Sequence, residues 1–168
     1  MATMPHYLRN MNLYVDGRGF AGRVEEVTLP KLTLKTEEYR GGGMDAAVEI
    51  DLGMEKLECE LTINEYDPKL FALLGLQPGK QVNISLRGAM DSEGNVIPVA
   101  VSLTGSWKEI DMGNWKAGEK ASIKVTVSAR YYQLKISNES VIEIDVVNMV
   151  RMINGEDQLA EVRAAIGV

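Results

Sequence analysis

The chain has 168 residues, a mass of 18.5 kDa and a formal charge of −6, which suits one domain. With 45% hydrophobic and 25% charged residues it falls outside the disordered, collagen-like and disulfide-scaffold classes. Its longest uncharged run, residues 94–107, contains Pro98 and is shorter than the roughly 18 residues a membrane-spanning helix needs. No basic region leads into an apolar run near Met1, so no secretory signal is expected. One cysteine, Cys59, and one histidine, His6, leave neither an internal disulfide nor a histidine metal cluster. The expectation is a soluble, β-rich domain made inside the cell.

Strands are predicted almost throughout. Residues 13–15 form a short one closed by Asp16-Gly17, and 24–29 and 31–38 follow on either side of Pro30. Gly41-Gly42-Gly43 then breaks any regular element, because three glycines carry a large backbone entropy cost. Val48, Ile50 and Leu52 alternate with Glu49 and Asp51; Leu57, Cys59, Leu61 and Ile63 alternate with Glu58, Glu60, Thr62 and Asn64. Period two means two strands, each with an apolar and an acidic face. The Gly53-Met54-Glu55-Lys56 link predicts that they pair as one antiparallel hairpin over 47–64.

Asp67 as N-cap, Pro68 in the first turn, and Gly75 with Pro78 beyond the end predict a short helix to Leu74. Residues 81–87 alternate again, and 91–95 make a turn. Ile97, Val99, Val101, Leu103 and Trp107 share one face of a long strand interrupted at Gly105. Ile123, Val125, Val127, Ala129 and Tyr131 share a face of the next. Residues 134–136, a turn at 137–140 and 141–147 complete the β region. Asn154 is read as the cap of a C-terminal helix over 154–166, with Glu156 and Asp157 in its first turn and Leu159, Val162 and Ile166 as its apolar stripe.

Charge is uneven along the chain. Residues 37–67 hold ten acids against Arg40 and Lys56, a net −8, and the remainder is +2. Such a surface repels phosphate and argues against tight nucleic-acid binding through this segment. Gly17-Arg18-Gly19-Phe20-Ala21-Gly22 matches a dinucleotide fingerprint, but the β-branched residues after it run into Pro30 and leave no room for the helix that chemistry requires. A tight turn is the better reading. The pairs Glu49/Asp51 and Glu58/Glu60 lack the contrasting environments that acid–base catalysis uses, and no calcium-loop pattern accompanies them. Cys59 falls on an apolar strand face and reads as a buried, inert thiol. Trp107 and Trp115, flanking 108–114, read as core packing at a strand end or as an anchor between subunits. No catalytic constellation, cofactor site or metal site is expected.

Two apolar-and-acidic strands fit poorly in a small monomer, since like charges on one face repel and open edges invite pairing. A barrel shared among several subunits would resolve both. Three stretches then carry a resemblance. Residues 27–45 read V-T-L-P-K-L-T-L-K-T-E-E-Y-R-G-G-G-M-D, 108–119 read K-E-I-D-M-G-N-W-K-A-G-E, and 143–159 read E-I-D-V-V-N-M-V-R-M-I-N-G-E-D-Q-L. Together with L-R-N-M-N-L-Y-V-D-G at 8–17, they are similar to the major tail tube proteins of contractile-tailed bacteriophages and R-type pyocins.

The resemblance implies a mainly β fold: an antiparallel sandwich or barrel with one short and one C-terminal flanking helix, oligomerising into a hexameric inner β-barrel. It implies a single tail-tube domain over 1–168, with an extended inter-ring loop region at 27–46, a lumen hairpin at 47–64 and the helix at 154–166. Glu49, Asp51, Glu58 and Glu60 would face the lumen, while Val48, Ile50, Leu52, Leu57, Leu61 and Ile63 would pack on the subunit's own core. Lys35, Glu37, Glu38, Tyr39, Arg40 and Met44 would make inter-ring contacts. Six subunits giving four strands each would close a barrel roughly 50 Å across the backbone, wide enough for double-stranded DNA to pass without specific binding. Implied partners are further copies in stacked rings, a tail sheath protein, a tape-measure protein, and baseplate and tail-terminator proteins, with no membrane anchor. The site of action would be the virion tail, assembled in the bacterial host cytoplasm. An R-type bacteriocin tube carries the same blocks, a type VI secretion tube shares the ring architecture without them, and a non-polymeric β-barrel binding module is the alternative of another class.

Overall fold

A computed structural model describes residues 3–77 and 79–168; the helix stop predicted at Pro78 lies outside them. β1 (Tyr7–Val15) turns through Asp16 and Gly17, both at positive φ, into the short β2 (Arg18–Gly19), so that Tyr14 faces Gly19. This is a two-residue hairpin of the primed type, which matches strand twist. The glycine-rich motif is therefore a tight turn, as its flanking residues predict.

β3 (Val24–Thr28), β4 (Leu34–Tyr39), β5 (Val48–Met54) and β6 (Leu57–Ile63) come next, followed by α1 (Pro68–Leu74). Asp67 caps α1 by accepting the Lys69 N–H at 2.8 Å, and Gly75 ends it in the left-handed region. β7 (Val82–Ser92), β8 (Asn95–Asp111), β9 (Ile123–Ile136) and β10 (Glu139–Asp145) form a meander of hairpins. β11 (Val150–Ile153), β12 (Glu156–Asp157) and α2 (Ala160–Ile166) close the chain.

The sheet follows the order β3-β6-β9-β8-β7-β1, all antiparallel. It curls so that Leu13, Val15, Phe20, Leu57, Cys59, Leu61, Ile63, Val82, Ile84, Leu103, Trp107, Ile123, Val125 and Val127 bury their side chains in one core. β9 has two partners on its outer edge: β6 along Ile123–Ala129, and β10 along Tyr131–Ile136. The fork falls at Arg130, where the β8 register slips between Thr104 and Gly105. One residue is skipped there, so inward facing passes from Ala129 to Tyr132. Tyr131, expected inward by strict alternation, turns outward instead; a bulge flips every later side chain to the other face.

Gly105 makes the slip possible. A Cβ at that position would lie 2.3 Å from the Ser128 carbonyl oxygen and 2.8 Å from the Ala129 Cα.

Three expectations are corrected. β5 and β6 do not pair with each other: β5 pairs with β4, and β6 with β3 and β9, so 47–64 is not a self-contained hairpin. The strand expected over 31–38 runs instead from Leu34 to Tyr39, inside the expected inter-ring region. The C-terminal helix begins at Ala160, and Asn154 with Gly155, both at positive φ, forms a turn joining β11 to β12. Asn-Gly is a stronger hairpin signal than a helix cap.

Replacing Gly105 by Ala should cost about 3 kcal/mol, because backbone atoms cannot move aside as a side chain can. Gly42→Ala, which meets open space, should stay within about 0.5 kcal/mol of the parent in urea denaturation.

Candidate functional site: a β-ribbon and its charged face

β3 and β4 on one side and β5 and β6 on the other form a single ribbon. Thr28 lies opposite Glu60 and Leu34 opposite Met54, so each strand advances six positions across the break at Pro30 and the register is preserved. The Glu55 N–H donates to the Thr33 carbonyl at 2.8 Å, carrying the ladder over the gap. Proline explains why regular pairing stops: it has no N–H to give. Beyond the gap Tyr39 faces Val48, and the tip closes at 41–44, with the Met44 N–H donating to the Gly41 carbonyl and Arg40 Nε to the Met44 carbonyl, both at 3.2 Å.

The base of this ribbon is buried and its outer half is not. Leu57, Cys59, Leu61 and Ile63 are at most 2% exposed. Val48, Ile50 and Leu52, expected on the subunit's own core, are 49%, 46% and 54% exposed. The reason is reach: past Met54, which still packs against the core, the strand has run beyond the residues that could cover it. Leu34 and Tyr39 are exposed beside them.

The six expected inter-ring residues all lie on this outer half or its tip: Lys35, Glu37, Glu38 and Tyr39 on β4, and Arg40 and Met44 in the closing turn. The four expected lumen carboxylates do not sit together. Glu58 and Glu60 project from β6, Glu49 and Asp51 from β5.

Three of the four carboxylates are ion-paired. Glu58 Oε1 accepts from Lys108 at 2.6 Å and from Lys56 at 2.9 Å, and these lysines hold its carboxyl below the usual range. Glu60 meets Lys124 at 3.2 Å. Asp51 accepts the Gly53 N–H at 2.7 Å and Arg151 of β11 at 3.3 Å, and the first of these does most to lower its pKa. Glu49 instead faces Glu38 directly across the ribbon, a repulsive pairing. Lys120 bonds Glu25 nearby, so the β3–β6–β9 face is charge-balanced where the sequence window alone reads as acidic.

Cys59 is buried and its thiol is pushed up to about 12, first by burial and then by Glu60; it is inert as expected. Trp107 belongs to the core, whereas Trp115 is 78% exposed. Sequence reasoning missed Arg151, Lys108 and Lys124, whose partners lie far along the chain. α2 has no buried residue, and Val162 and Ile166 on it are exposed; Arg163 ties it down through Asp157 and the Met149 carbonyl.

The phage tail tube protein FII family model matches residues 5–167. The chain is 35% identical over 171 residues to the tail tube protein of Escherichia phage P2, covering 99% of each. It is 34% identical over 157 residues to the major tail tube protein of Serratia phage KSP20, covering 92% of this chain and 91% of that one. Among solved structures, a chain from the cryo-EM structure of an extracellular contractile injection system, PVC sheath/tube terminator in the extended state, superposes with a TM-score of 0.62 at 15% identity. That match covers 80% of this chain and 99% of the other, and it concerns the fold.

Glu25, Asp51, Glu58 and Asp67 all have lowered pKa values, through Lys120, the Gly53 N–H, Lys108 and the Lys69 N–H respectively. Their stabilising share is complete above the ordinary carboxylate range of about 4 and is lost as pH falls through the lowered folded values. Thermal denaturation should give a Tm that is level from about pH 6 to 8 and falls steadily below about pH 4.

Proposed function

Because the chain belongs to the phage tail tube protein FII family over nearly its whole length, we propose that it is the tube subunit of a contractile tail, built as hexameric rings stacked into a hollow conduit. The observation that carries the ring-stacking reading is the ribbon's outer half: an apolar side of Val48, Ile50, Leu52 and Tyr39 that its own chain leaves in water. Exposed apolar strands with free edges are unstable as monomer surfaces and are resolved by a neighbour. Lys35, Glu37, Glu38, Tyr39, Arg40 and Met44 then make the ring-to-ring contact.

Glu49 and Asp51 of β5 and Glu58 and Glu60 of β6 wall the bore at two levels. Its lysines matter as much as its acids. Lys56, Lys108 and Lys124 are each tied to a carboxylate, so these lysines offer passing phosphates little to grip and a modest field screened within about 8 Å. DNA would slide past without specific binding. The exposed stripe of α2, Val162 and Ile166, faces outward to a sheath subunit, and baseplate, terminator and tape-measure proteins complete the assembly. The role is structural, not enzymatic, in the virion tail, with assembly in the host cytoplasm.

Negative-stain microscopy of concentrated protein after long incubation should show rings and tubes of uniform width; persistent monomers would remove this reading. Ile50→Asp should leave the monomer's Tm within about 1 °C, since Ile50 is half exposed, and abolish tubes. Arg40→Glu should shorten them by adding a fifth acid to an acidic tip.

A further inference from the structure

Trp115 stands on the loop between β8 and β9, exposed yet fixed. Its indole N–H donates to the Tyr66 hydroxyl at 2.9 Å, and that hydroxyl donates to the Met112 carbonyl at 2.9 Å. The two rings meet edge to face at 5.9 Å, and Tyr66 leans in turn on Phe71 of α1 at 6.4 Å. Met112 adds a further exposed apolar side chain. An aromatic held in one orientation, mostly in water, contributes little burial to its own subunit. Held this way, it could bind a partner with little loss of rotamer freedom.

Its position says which partner. The Trp115 loop leads into Ile123, which pairs with Ile63 at one end of β6. The ribbon leaves at the other end, past Leu57 opposite Ala129, and the Asp51–Arg151 contact shows that it continues in that direction. From Ile63 to Val48 the strand can reach roughly 50 Å at about 3.3 Å per residue. The ribbon tip and Trp115 are therefore at opposite ends of one subunit.

Two tips cannot serve each other. Residues 35–49 carry Glu37, Glu38, Asp45 and Glu49 against Lys35 and Arg40, a net −2, so a tip-to-tip contact repels. The loop at 112–122 pairs Lys116 with Glu119 and Lys120 with Glu25, so it is charge-balanced and does not repel an acidic tip. A head-to-tail contact matches apolar with aromatic, avoids setting acid against acid, and repeats without closing.

We infer that Trp115 is the receiving site for the ribbon tip of a copy in the adjacent ring, seating the apolar side of Tyr39, Val48 and Ile50. The inference rests on the tube reading and names the surface on which one ring holds the next. Subunits carrying p-benzoylphenylalanine at position 115, doped as a minority into wild-type chain, should on illumination of assembled tubes join position 115 to a peptide within residues 35–50 of another copy. Attachment to any other segment, or none in tubes of normal appearance, would overturn it. Trp115→Ala should keep the parent's circular dichroism and Tm but weaken tube growth at least tenfold, as loss of one such anchor does; tubes of parental length at the same protein concentration would count equally against it. A wild-type chain that never polymerises would remove the tube reading itself, and this inference with it.

Discussion

The ribbon from Val24 to Ile63 keeps its register across Pro30, with single-residue slips only after Val24 and after Leu34, while the core beneath it ends at Met54. Those two facts set most of what the subunit can do. Because the pairing resumes in register beyond Pro30, the outer half continues the strands of the base as a paired ribbon. The missing core leaves Val48, Ile50 and Leu52 uncovered, whereas Leu57, Leu61 and Ile63 at the base are buried, so the ribbon presents an adhesive side beyond the domain. Hydrophobic burial scales with apolar area removed from water, and here a share of that area can be removed only by a second molecule.

Charge follows a parallel division. At the base of the ribbon, carboxylates of β3 and β6 meet lysines from β8, β9 and the adjoining loops, and each exposed pair contributes modestly while cancelling its neighbour's field. At the outer half Glu38 and Glu49 oppose each other directly, and among the described residues neither forms an ion pair. The free subunit therefore carries its repulsion at the same place as its exposed apolar surface, which opposes indiscriminate pairing of strand edges.

Much of this was legible in the residues. Alternation located β5, β6, β7, β8 and β9, and it separated the buried side of β6 from its charged side. The Asp67-Pro68 start of α1 needed no tertiary information, because a cap and a first-turn proline act locally. Pairing partners were less accessible. The Gly53–Lys56 link looks like a hairpin connection, yet Gly53 at φ +108 serves a bend within one continuing strand side, and the true turn lies at 41–44. The C-terminal Asn-Gly reads as a cap because acids follow it, whereas pairing of β11 with β12 is a tertiary outcome. The charge balance of β6 was hidden for the same reason: Lys108 is 50 positions from Glu58. The functional roles of the carboxylates depend on neighbours outside a single chain, which alternation cannot specify.

Placing the ribbon tip and Trp115 at opposite ends of one strand gives the subunit a direction. Any filament of such units in common orientation ends in two chemically different faces, one bristling with acidic hairpins and the other paved with indoles. A surface complementary to one terminus of such a filament is not complementary to the other.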